Sequence, residues 1–186
     1  YDEKVPYLCA LAAENRRYQE NWLKEHRRYY QIAGVTVQVD SDLPVTPRTF
    51  HPKLKDFERE TPGEDLIQIR HRFSLPDLNL SPADQPVYRK SPWEIYRKGD
   101  SWVYLLVGNG VESQPILVGV FNGDYTRGTV YHASERIYLK GKLESLSMFA
   151  TDQILLAQVM ADREGCYFHS SGAIINGQGF LFTGHS

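Results

Sequence analysis

The residues Gly184-His185-Ser186 follow directly on the apolar run at 179–183, inside the segment FHSSGAIINGQGFLFTGHS at 168–186. A strand that runs into Gly-x-Ser at a sharp turn is one way a phosphate-binding loop begins. Successive backbone N–H groups cradle the anion there, and glycine permits the close approach. The three residues match the opening of the pattern G-x-x-x-x-G-K-[ST]. The lysine that meets the terminal phosphates and the hydroxyl that holds Mg²⁺ would both follow Ser186, so the segment reads as the near half of a nucleotide site.

Other groups with chemical potential are scattered. His51, His71 and His132 fall on different predicted loops and strands, and no pair has the i, i+4 spacing of metal ligands. In Arg70-His71-Arg72 the period of a strand sets His71 opposite both arginines. We read this as a solvated strand face on which His71 is replaceable. Asp40, Asp42 and Asp65 have the chemistry of cation ligands, but turns collect aspartate for local hydrogen bonds anyway. Trp93, Tyr96, Trp102 and Tyr104 could stack on a sugar or base; cross-strand packing in a hairpin accounts for them more simply. No Ser-His-Asp or Cys-His order can be built.

The elements that must position these groups come from periodicity. Residues 6–30 read as a helix, with Leu8, Leu11, Tyr18 and Trp22 at spacings of three and four. Its basic end KEHRRYY reads as cations near a helix C-terminus rather than as an acidic partner's site. From residue 32 the period becomes two, around Val35, Val37 and Val39. Six to eight strands are expected over 32–138, with tight turns at Gly99-Asp100 and Asn122-Gly123, and an irregular loop over 45–65. A helix is expected over 143–161, interrupted near Thr151-Asp152 and closed by Gly165. A second hairpin should then turn at Asn176-Gly177. The fold class expected is α+β: an N-terminal helical segment over 1–30, a mainly antiparallel β-rich domain over 31–140, and the start of a further core over 141–186.

Composition narrows the setting. A net charge of −2 gives no steering toward nucleic acid or a membrane surface. Apolar runs fall short of the ~20 residues that a spanning helix needs. The two cysteines, Cys9 and Cys166, suit neither a disulfide framework nor a metal knuckle, so reduced thiols and a cytoplasmic setting are expected.

The segment 168–186 also resembles the stretch before the phosphate loop in HPr kinase/phosphorylases and ATP-type phosphoenolpyruvate carboxykinases. Those proteins place a histidine at the start of a strand, then a hairpin turn, a second apolar strand and G-x-S-G-x-G-K-[ST]. Here His169 stands fifteen residues before Gly184, and His169-Ser170-Ser171 is similar to the His-Cys-Ser or His-Ala-Ser of the wider group. The segment IAGVTVQVDSDLP at 32–44 resembles an opening strand and turn of HPr-kinase-related proteins. The likeness runs over about 140–186, thins over 30–76 and does not reach the N-terminal helix.

That resemblance implies an ATP-dependent kinase, using Mg²⁺ to transfer a phosphoryl group to a hydroxyl acceptor on a protein serine, a peptide or a small molecule, with a homo-oligomer left open. It implies that His169 lies beside the transferring phosphoryl group or its metal ion, a place suited to a neutral imidazole as ligand or proton carrier. Gly184, His185 and Ser186 would contact the nucleotide. The alternative is a module on the same fold that binds nucleotide or peptide without turnover. Residues 1–186 alone lack the lysine contact and most of the N–H cradle. Calorimetric titration with MgATP should therefore show nothing tighter than millimolar, and micromolar affinity would mean that a site is built elsewhere.

Overall fold

A computed structural model describes residues 4–78, 85–108, 114–147, 152–166, 168 and 170–184. Helix α1 (Lys4–His26) runs straight into strand β1 (Arg27–Ile32), which returns as β2 (Val35–Ser41). After a 3-10 turn at Pro52–Phe57 come β3 (Glu58–Arg59) and β4 (Leu66–Arg72). Strands β5 (Tyr88–Lys90), β6 (Trp93–Lys98), β7 (Ser101–Val107), β8 (Pro115–Phe121) and β9 (Arg127–His132) follow. Two helices, α2 (Arg136–Lys140) and α3 (Gln153–Ala161), precede the hairpin β10 (Ser171–Ile175) and β11 (Gln178–Phe182).

Nine strands form one sheet in the order β3-β1-β2-β4-β9-β8-β7-β6-β5. Six of its eight pairings are antiparallel, so the chain is α+β with a mostly antiparallel sheet. At its centre, however, β4 lies parallel to both β2 and β9. Valine and isoleucine at alternate positions send Val35, Val37, Val39, Ile67, Ile69 and Val130 to one face, all buried. Val45, Phe50, Leu54, Tyr138, Leu146, Leu155 and Val159 pack over that face from the loops and helices. The opposite face is divided. Its β6–β8 half is a smaller core of Tyr96, Val103, Leu105 and Val118, with Leu78 against it. Its β2–β4–β9 half carries Asp40, Gln68, Arg70, Arg127 and Thr129.

Two elements differ from the sequence expectation. The first helix ends at His26, because Arg27 to Ile32 pair residue by residue with Asp40 to Val35 across the turn Ala33-Gly34, both at positive φ. The basic cluster therefore sits on a strand: Arg27 forks onto Asp40, and Arg28 donates to the carbonyl of Val45. Second, no helix starts at Leu143. Its N–H donates to Thr49 O and its carbonyl accepts from His51 N, so the segment is held extended against the 48–51 loop. The aromatics of β6 and β7 sit on the hairpin as expected, with Trp93, Trp102 and Tyr104 sharing one face and Tyr96 on the other. Trp102 stands opposite Arg97, whose guanidinium lies 4.6 Å from the ring centroid, and the Tyr104 hydroxyl bonds to that of Tyr125.

The Gly141 backbone, at φ 75°, closes α2 with its N–H on Tyr138 O, and a Cβ there would collide with the carbonyl oxygen of Arg48. Gly179 has no heavy atom within 4 Å of its Cβ position. Gly141→Ala should therefore lose roughly 2 kcal/mol or more of stability in urea unfolding, while Gly179→Ala loses none.

Candidate functional site

The C-terminal segment is tied to the sheet through α3. Leu155, Leu156 and Val159 are the buried side of this short helix. Its end is capped by Glu164 in the left-handed conformation (φ 55°), which lets Gly165 N–H return to Met160 O; the glycine expected at that position stands one residue later. The Arg163 guanidinium forks onto both carboxylate oxygens of Asp65, linking the helix end to the start of β4. That contact holds Asp65 below the usual carboxylate range, mainly through the hydrogen bond Arg163 donates. Asp40 and Asp42 are likewise paired, with Arg27 and Arg70. All three aspartates, which have the chemistry of cation ligands, are thus engaged by arginine.

The hairpin expected at Asn176-Gly177 is present. Asn176 at φ 51° and Gly177 at φ 77° make the two-residue turn whose twist matches the flanking strands. Residues 170–184 contain no charged side chain. Ala173, Ile175, Phe180 and Phe182 lie on one face of the hairpin and Ile174 and Leu181 on the other, all exposed. Strand β11 then delivers Gly184, exposed and with open space around its Cα. His169, His185 and Ser186 lie outside the described residues.

The structure brings together two histidines that the sequence left apart. His71 is fully buried and His132 nearly so, with His71 Nδ1 3.2 Å from His132 Nε2. His71 Nε2 is 2.9 Å from Leu146 O, and a carbonyl only accepts, so Nε2 carries the proton. His71 Nδ1 is then an acceptor, and His132 Nε2–H donates to it. One residue further, the Asp152 carboxylate accepts from Leu146 N, Ser147 N and the Ser147 hydroxyl. Burial pushes the Asp152 carboxyl up, against those three bonds. Burial also drives His71 down to about 3 and His132 down to about 4.

The arginines flanking His71 are exposed, but His71 itself is not on a solvated face. The signal was its place two residues beyond Ile69 and four beyond Ile67. Sealed from solvent and neutral, this pair holds β4, β9 and the 142–147 segment together and cannot meet a substrate. Among the described residues, no three or more His, Cys, Asp or Glu side chains are placed to hold a metal ion, and no helix is long and apolar enough to cross a membrane. Cys166 is a free, exposed thiol.

No known family, curated protein or solved structure matches the chain.

Two outcomes follow from the histidine pair. His71→Ala leaves the Leu146 carbonyl unpaired beside a cavity, and should cost roughly 2–4 kcal/mol. Both imidazoles titrate lower folded than the ~6.5 of an unfolded chain. Their contribution is full above pH ~6.5 and is lost as pH falls toward about 4, at up to ~1.4 kcal/mol per pH unit for each. Asp152, raised, works with the opposite sign, so the comparison must be made between variants. Urea unfolding between pH 7.5 and 5 should show a steeper loss for the wild type than for His132→Asn, and equal slopes would refute the buried neutral pair.

Proposed function

We propose that the chain belongs to an ATP-dependent phosphotransferase similar to the HPr kinases, transferring the terminal phosphoryl group to a hydroxyl acceptor. The observation that carries this reading is the order of elements over 153–184. Helix α3, an uncharged hairpin with apolar side chains on both faces, and an open glycine at the exit of β11 follow one another as they do before a phosphate loop. A strand that is apolar on both faces suits the interior of a layered core. An unobstructed Gly184 fits a backbone that a phosphate must approach closely, which is the test the residues present can meet.

In this reading Mg²⁺-bound ATP supplies the phosphoryl group and the neutralising charge. The residues of this chain position and exchange protons. Gly184, His185 and Ser186 would offer the first backbone N–H donors of the cradle. His169, with a neutral imidazole near working pH, would hold the metal ion or take the proton that the acceptor hydroxyl gives up. The sheet of β1–β9 would be an accessory layer joined to that core through Arg163–Asp65 and the buried face of α3.

The test is His169→Ala in the full-length protein with ATP, Mg²⁺ and a hydroxyl acceptor. Phosphoryl transfer should fall by roughly two orders of magnitude or more. The melting curve should barely move, since one hydrogen bond at a strand end is worth only ~0.5–1.5 kcal/mol. Near-normal turnover would make the imidazole structural and remove His169 from the site.

A further inference from the structure

The polar half of the outer sheet face holds a groove of about 340 Å³ whose floor includes Gln38, Asp40, Gln68, Arg70, Arg127 and Thr129. These six residues form an array fixed by strand register. Gln38 pairs with Gln68 and Asp40 with Arg70 across β2–β4; Gln68 pairs with Arg127 and Arg70 with Thr129 across β4–β9. Neighbouring strands are ~4.8 Å apart, so the three span about 10 Å, and residues two apart on a strand are separated by ~7 Å.

The two ends of the array differ chemically. At the β2 end Asp40 is pinned: Arg27 donates to both carboxylate oxygens and the Gln38 amide donates to Oδ2. A carboxylate accepts about four hydrogen bonds, so one acceptor position stays open on a rigidly held group. At the β9 end, the side chains of Gln68, Arg127 and Thr129 make no hydrogen bond or ion pair among the described residues, and the Arg127 charge helps to lower the carboxyl of Asp124. Across β1, β2, β4 and β9 this face carries Arg27, Arg70, Arg72 and Arg127 against Asp40, with Asp42 and Asp124 at the strand ends beside Arg70 and Arg127. Donors line one end of the groove and a fixed acceptor stands at the other; the backbones of Arg127 and Asp40 are about 12 Å apart, a span that their side chains shorten from both ends.

We propose that this groove binds a small polyhydroxy carboxylate of the sugar-acid class, with its carboxylate on Arg127, Gln68 and Thr129 and a ring hydroxyl donating to Asp40. Arg70, midway and already paired with Asp42, orients the ligand rather than neutralising it. The site is independent of the phosphotransfer reading, since it involves no residue beyond β9.

The probe is glucuronate, followed by NMR shifts of backbone amides in β2, β4 and β9. Saturable shifts confined to the groove are expected, with glucose and acetate, which each carry half of the chemistry, at least tenfold weaker. A charge-assisted contact is worth on the order of tenfold or more in affinity, so Arg127→Gln and Asp40→Asn should each weaken glucuronate by that factor. Arg97→Gln, on the same sheet but in the β6–β7 hairpin, should change nothing. Arg127 is exposed, and its replacement should leave the melting curve unchanged, so a loss of binding there reads on the site. Acetate binding as well as glucuronate, shifts that persist in Arg127→Gln, or no shifts at tens of millimolar would each overturn the proposal.

Discussion

The burial of His71 is the constraint around which this protein is organised. A polar ring at the centre of a sheet is tolerated only when every nitrogen is committed, and here the commitments reach in three directions. One goes across the parallel ladder to His132 on β9, one to the carbonyl of Leu146, and through the Leu146 amide the chain of bonds continues to Asp152 at the start of α3. Removing any member leaves the others buried and unpaired, so the segment that separates sheet from helix is fixed by polar contacts as much as by packing.

This arrangement explains why the sheet has two unlike faces. The face of Val35, Val37, Val39, Ile67 and Ile69 is closed by loops and helices that the histidine network holds in place. The other is closed only in part: Thr36 and Gln38 on β2 are buried, whereas Gln68, Arg70 and Arg127 on β4 and β9 are exposed, and its side chains are amides, hydroxyls and arginines, of which Arg27 and Arg70 pair with aspartates. The hairpin β10–β11 is the exception to that division, because it presents Ile174 on one side and Phe182 on the other with no cover on either.

Much of this was legible in the sequence. Alternation around Val37 and Ile69, the turns at Gly99-Asp100 and Asn176-Gly177, and the α+β class all follow from local periodicity and turn chemistry. What local signals do not carry is partnership at a distance. Residues 27–30 continue the helical pattern, yet Asp40 and the β2 backbone claim them for a strand. Leu143 and Leu146 keep a helical spacing, yet Thr49, His51 and His71 claim their backbone groups. His71 itself was visible as a period-two neighbour of Ile69; its partner His132, sixty-one residues on, was not. In the C-terminal segment the hairpin at Asn176-Gly177 was legible from turn chemistry, while the roles proposed for Gly184, His185 and Ser186 rest on a partial motif and a resemblance, and that of His169 on the resemblance.

The parallel placement of β4 has a kinetic consequence. Strands β6 to β9 pair in chain order with connections local in sequence and can zip up as hairpins, on the microsecond scale of such events. Strand β4 has no hairpin partner: its ladder to β2 requires the connection behind it to close, and its ladder to β9 the much longer connection ahead. Loop closure alone should favour the hairpins of β1–β2 and of β6–β9 before β4 docks between them, and the sheet is continuous only once it has. His71, carried in on that strand, meets its partners at the moment of closure, so the polar network acts as a late proofreading step: a hairpin in the wrong register leaves a sealed imidazole without its acceptor.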